Sequence, residues 1–127
     1  MIINNGDKKN FMDFTIYRYK SLINALEQTY SFQKFSDFLQ DPKRKTIILR
    51  HDVDLLPQNS LRLAKIQAMK GIRGSYYFRA VSVSWNETII KEIASLGHEV
   101  GYHYETMDKA KGDIDKAWDQ FRFHLDE

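Results

Sequence analysis

Two short segments hold most of the side chains that could do chemistry. The first is Arg50-His51-Asp52-Val53-Asp54, and the second ends in Gly101-Tyr102-His103-Tyr104-Glu105. Alternation along an extended chain puts Asp52 and Asp54 on one side, a few ångströms apart. Carboxylates that close repel unless a cation or a shared proton relieves them, and a hard or borderline divalent metal does so economically. His103 and Glu105 are again spaced to face one side, and from a neighbouring strand they could reach the same cation as Asp54. His98 opens that segment and His103 closes it, about 16 Å apart at ~3.3 Å per residue. One ion cannot bind both, so His103 is the ligand candidate and His98 satisfies a turn or helix end. The plainer alternative is that both aspartates cap the following helix, whose N-terminus favours carboxylates.

These segments need elements to carry them. Residues 46–49, Thr-Ile-Ile-Leu, form an apolar run readable as a buried strand that delivers Arg50 to Asp54 at its carboxyl end. Pro57 suits a helix start. That helix carries Leu61, Ala64 and Ala68 on one face, flanked by Leu63 and Ile66, and stops at Gly71 as a left-handed cap. Residues 75–78 read as a second strand, rich in aromatics. Asn86 caps a helix with Ile89, Ile93 and Leu96 as its stripe, ended by Gly97, and residues 99–102 form a third strand. Asp108 then caps a last helix with Ala110, Ile114, Ala117, Trp118, Phe121 and Leu125 buried.

Three strand–helix units in a row predict an α/β fold of parallel βα units. Residues 1–45 differ. An amphipathic helix over 17–26 and a second short one carrying Phe32, Phe35, Phe38 and Leu39 read as a helical cover on the sheet or over the strand bottoms. The expected organisation is one domain, 1–127, with the cover in 1–45 and three βα units in 46–127. A closed β/α barrel takes about 250 residues, so the units correspond either to half of one or to a small open sheet. Such a half leaves an exposed sheet edge, which favours homo-oligomers.

Composition bounds the partners. The 127 residues are 43% hydrophobic, and 19 basic against 17 acidic residues leave a formal charge of +2, too even for a nucleic-acid binder. The basic run Pro42-Lys43-Arg44-Lys45 reads as a solvated turn before a strand. With no cysteine, disulfides, thiolate metal sites and thiol nucleophiles are excluded. The N-terminus lacks the apolar stretch of a secretion signal, and no run approaches the ~20 apolar residues that span a bilayer. The expectation is a cytoplasmic protein without a membrane partner.

Together the motifs resemble the polysaccharide deacetylase family of carbohydrate esterases. Its members carry Asp-Asp or Asp-x-Asp after the first core strand, then Gly-His-Glu-Ile-Gly-x-His with a further His four residues on. His51-Asp52-Val53-Asp54 resembles the first, and Gly97-His98-Glu99-Val100-Gly101-Tyr102-His103 the second. Gly71-Ile72-Arg73-Gly74-Ser75-Tyr76-Tyr77-Phe78 resembles the family's second-strand region, so the likeness covers about residues 46–108.

The resemblance implies an irregular (β/α) barrel and metal-assisted removal of N- or O-acetyl groups from a carbohydrate. Asp52 would match the general base, and Asp54 and His103 metal ligands, with zinc expected and cobalt, manganese or nickel as alternatives. Four residues after His103 stands Met107, a poor zinc ligand, so Glu105 replaces the second family histidine on spacing alone. Arg50 and Arg79, at strand ends, are candidates for substrate contact or for tuning Asp52. The family's later strands supply a further catalytic histidine that His124, in the last helix, does not match.

Competing readings use the same residues. A phosphatase of the haloacid dehalogenase type would take Asp52 as nucleophile, yet Arg50 and His51 precede it where an apolar strand is expected, and His103 and Glu105 stay unexplained. A glycosyltransferase would need a nucleotide pocket that the sequence does not suggest. A catalytically incomplete metal- or carbohydrate-binding chain, or a subunit completed by a partner, is the third.

Overall fold

The computed structural model describes residues 13–126; the reading of the N-terminus as lacking a secretion signal falls outside them. Two helices and a small strand pair come first. Helix α1 (Ile16–Leu26) starts at Thr15, whose hydroxyl accepts from the Arg18 amide at 3.2 Å, as an N-cap should. Strand β1 (Ser31–Phe32) leads into helix α2 (Phe35–Gln40), so Phe32 sits in a strand rather than in the expected short helix. Residues 42–45 form the expected exposed turn. Strand β2 (Thr46–Ile47) then pairs with β1 in parallel.

The main sheet begins four residues later than the sequence suggests. Strand β3 is Arg50–Val53, followed by helix α3 (Pro57–Met69), strand β4 (Ser75–Phe78), helix α4 (Glu87–Ser95) and strand β5 (Glu99–Tyr102). The strands are parallel in the order β3-β4-β5. The apolar run 46–49 is therefore not the first sheet strand: half of it pairs with β1, and Leu49 enters the sheet only by accepting the Ser75 amide at 2.9 Å. The strand itself is the alternating segment, with Arg50 and Asp52 on one side and His51 and Val53 on the other.

In-register pairing extends that alternation across all three strands. One face carries the row His51–Tyr76–Val100 and the row Val53–Phe78–Tyr102. The core forms here, where Val53, Tyr76 and Phe78 pack with Ala64 of α3 and with Ile89 and Ile93 of α4. Full burial of each large side chain contributes roughly 1.5–3 kcal/mol. The opposite face carries Arg50–Ser75–Glu99 and then Asp52–Tyr77–Gly101. Every candidate site residue in the strands lies on this second, polar face.

The caps on α3 and α4 follow the sequence. Pro57 is the first residue of α3, Asn86 accepts from the Ile89 amide at 3.1 Å, and Gly71 and Gly97 take φ of 71° and 89°, which L side chains resist. The chain's last helices do not follow it. Helix α5 (Thr106–Lys109) is one turn, ended where Lys111 and Gly112 adopt positive φ, and Asp113, not Asp108, caps helix α6 (Ile114–Leu125) by accepting from the Lys116 amide. Of the apolar residues expected inside, Ala110 and Ala117 are buried, whereas Ile114, Trp118 and Leu125 are exposed.

The N-terminal cover is anchored beneath the strands. Helix α2 has no side-chain cap of its own. Its Phe35 amide donates to Ser75 Oγ at 3.0 Å and its Ser36 amide to Glu99 Oε2 at 3.1 Å, while Ser75 Oγ donates to the same carboxylate at 2.7 Å. The sheet's own residues thus cap α2, and a charged acceptor makes these bonds stronger than neutral ones. Glu99→Ala should cost about 1–3 kcal/mol in urea unfolding, and an unchanged midpoint would mean that α2 is held elsewhere.

Candidate metal centre

Three residues stand one position past their strands: Asp54 after β3, Arg79 after β4 and His103 after β5. The His103 amide donates to the Phe78 carbonyl at 2.8 Å, so the β4–β5 ladder continues to this row. Asp54 and His103 therefore do not come from adjacent strands, as the sequence reading had it; β4 lies between them. Two strand spacings amount to about 9.6 Å between backbones, and the side chains close that gap above Arg79. His103 Nδ1 is 3.0 Å from Asp54 Oδ1.

Glu105 completes the cluster. Ligand atoms of Asp54, His103 and Glu105 all lie within 4.8 Å of one another. The donor set of one imidazole nitrogen and carboxylate oxygens suits zinc and its neighbours among divalent metals. A second observation fits a cation: His103 Nδ1 is buried and, despite its short distance to Asp54, makes no aligned hydrogen bond. Buried polar atoms are nearly always satisfied, and exceptions call for an explanation such as an ion. Capping does not explain the aspartates either, because the N-cap of α3 is Leu56 and no side chain bonds that helix end.

Both candidate arginines are engaged with carboxylates of the site. Arg79 forms an ion pair with Glu105, supplying positive charge beside one of the three ligands. Arg50 Nε donates to Asp52 Oδ1 at 2.8 Å, and its guanidinium lies over the Tyr77 ring, 4.5 Å from the centroid. Met107 is exposed.

Two further histidines, His98 and His51, are engaged elsewhere than in the cluster. His98 is buried; its Nδ1 accepts from the Gly74 amide at 3.0 Å and its Nε2 reaches the Ala64 carbonyl at 2.9 Å. It thus satisfies the turn before β4, as expected, but its helix contact is a carbonyl inside α3 rather than a helix end, and burial pushes its pKa down. His51 stacks on Tyr76 with centroids 4.4 Å apart, and its Nε2 lies 2.7 Å from Gln67 Nε2. The amide can only donate there, so the imidazole is neutral and carries its proton on Nδ1. Burial first, then the nearby His98, lowers the His51 pKa to about 4, against a smaller opposing effect of Asp52.

Gln67 went unnoticed in the sequence. It is fully buried, donates to Tyr19 Oη at 2.6 Å and accepts from Tyr76 Oη at 2.9 Å. Its place three residues after Ala64, on the inner stripe of α3, was the available signal. Tyr77 was missed as well, although the alternation of β4 sets it on the same face as the chemistry.

No helix among the described residues is long and apolar enough to cross a membrane. Comparison with protein-family models, with curated proteins and with solved structures returns no match.

Proposed function

We propose that this chain is a metal-dependent hydrolase that removes N- or O-acetyl groups from a carbohydrate, its parallel units forming part of an irregular β/α barrel of the polysaccharide deacetylase type. The observation that carries the reading is the meeting of Asp54, His103 and Glu105 within 4.8 Å, above a row that also holds Asp52. A divalent cation, zinc in the first instance, would supply a Lewis acid that polarises an acetyl carbonyl and acidifies water. Asp54, His103 and Glu105 would hold it. Asp52, two residues before Asp54 on the same face and roughly 6.6 Å away along the strand, takes the proton of the attacking water. Arg50 holds that carboxylate in place through the 2.8 Å bond. Arg79 balances the charge of Glu105 at the edge of the site.

The first test is metal binding. Purified protein titrated with zinc should bind one equivalent, and His103→Ala should weaken binding at least about 10–100-fold, since even outer-shell partners of metal sites carry that much. Equal zinc content in wild type and variant, measured by elemental mass spectrometry, would remove the site assignment and the hydrolase with it. Acetate release from N-acetylated oligosaccharides with zinc or cobalt then tests turnover.

A second reading has one observation in its favour. Arg79 already pairs with Glu105, an arrangement that suits a chain binding metal or carbohydrate without turnover. Zinc binding with no acetate release from any acetylated sugar supports it over the hydrolase.

A further inference from the structure

Gly101 belongs to the motif that suggested the deacetylase likeness, yet metal binding gives it no task. Its surroundings do. It stands in register with Tyr77, which stands in register with Asp52. A Cβ built on Gly101 would meet Tyr77 Cδ1 and Cε1 at 2.6 Å each. The tyrosine ring therefore lies across β5 in the space that any other residue's side chain would fill. In that position the ring lies beneath the Arg50 guanidinium, 4.5 Å from its centroid, and Arg50 Nε holds Asp52 Oδ1 at 2.8 Å.

We propose that Gly101 and Tyr77 are positioning residues for Asp52, acting in series across the sheet. Gly101 leaves room for the ring, the ring fixes Arg50, and Arg50 aims the Asp52 carboxylate. Among the described residues no side-chain hydrogen bond or ion pair joins the three to Asp54, His103 or Glu105, so the device is separate from the ligand set. A side chain at position 101 displaces the ring, frees a long flexible arginine and lets the carboxylate rotate. A stacked guanidinium is held both by the ring face and by its planar fork, which a lysine at position 50 would not reproduce. The proposal rests on the reading of Asp52 as the general base.

The test uses two variants of the full chain, Gly101→Ala and Tyr77→Leu, the second removing the ring without adding any overlap. Three readings are taken on each: the Arg50 Nε–H resonance by proton–nitrogen NMR, zinc affinity, and kcat for acetate release. The Nε–H signal should shift and exchange faster with water in both variants, and zinc affinity should stay within about twofold. kcat should fall about 10–100-fold with little change in KM, the range for a misplaced catalytic group. The double variant should lose no more than Tyr77→Leu alone, because both act through Arg50. An unchanged Arg50 signal in the folded variants overturns the tether, and a shifted signal with undiminished kcat overturns its role in positioning. An inactive wild type would instead sink the hydrolase reading, while the NMR comparison still decides whether the tether exists.

Discussion

Asp52→Asn is expected to lower acetate release by about 10²–10⁴-fold, the range assigned to a positioned general base, and to leave zinc affinity nearly unchanged. The asymmetry comes from the geometry. Asp54, His103 and Glu105 make up the cluster without Asp52, so the ligands survive the substitution. Asparagine keeps the shape and can still accept the Arg50 hydrogen bond through its carbonyl oxygen, but it cannot take a proton from water. Parallel measurement of kcat and zinc binding separates the two roles. A drop in both would place Asp52 among the ligands. A variant as active as wild type would leave the site without its base.

The second large effect concerns acid. The fold should lose stability as pH falls from about 6.5 to about 4, by on the order of 3 kcal/mol from His51 alone. In the unfolded chain an imidazole titrates near its ordinary value of ~6.5, whereas in the folded protein burial holds His51 at about 4. The unfolded state therefore binds the proton more readily. This contribution is fully present above pH 6.5, declines across the window and is gone below pH 4. His98, lowered in the same direction by its burial, steepens the decline.

The structural reason lies in Gln67, whose amide donates to His51 and to Tyr19 while its carbonyl accepts from Tyr76. Protonating His51 would set a donor against a donor in a buried network, where unmet polar groups are costly. Urea unfolding followed from pH 7.5 to 4.5 should show the slope, and His51→Phe should flatten it while lowering stability at neutral pH. Parallel slopes in the two proteins would show that the acid response has another origin.

Much of the frame was readable before any coordinates, and the reasons are local. Strands 75–78 and 99–102 have the bounds expected of them, because each is a short β-rich run between a helix-ending glycine and the next turn. Pro57, Asn86, Gly71 and Gly97 punctuate the helices that precede these strands, each by a steric or capping preference that acts within a few residues. The misjudged elements show where such reasoning stops. Residues 46–49 look like a core strand by hydropathy, but whether a strand joins the main sheet depends on what lies alongside. For Thr46 and Ile47 that neighbour is Ser31–Phe32. At the C-terminal end, Asp108 and Asp113 offer the same cap chemistry, and the positive φ at Lys111 and Gly112 decides for the second.

By itself, the sequence named the residues of the candidate centre, Asp54, His103 and Glu105, since carboxylates and an imidazole at strand ends advertise their chemistry through type and period. It also determined the α/β alternation, because helix and strand periods are written in neighbouring residues. Only the tertiary structure decided that β4 runs between the strands bearing Asp54 and His103, that Arg79 pairs with Glu105 and Arg50 with Asp52, and that Gln67 is buried as the hub of three polar partners. Strand order and side-chain pairing are settled by contacts between residues tens of positions apart, where burial and packing of the whole chain outweigh any local preference.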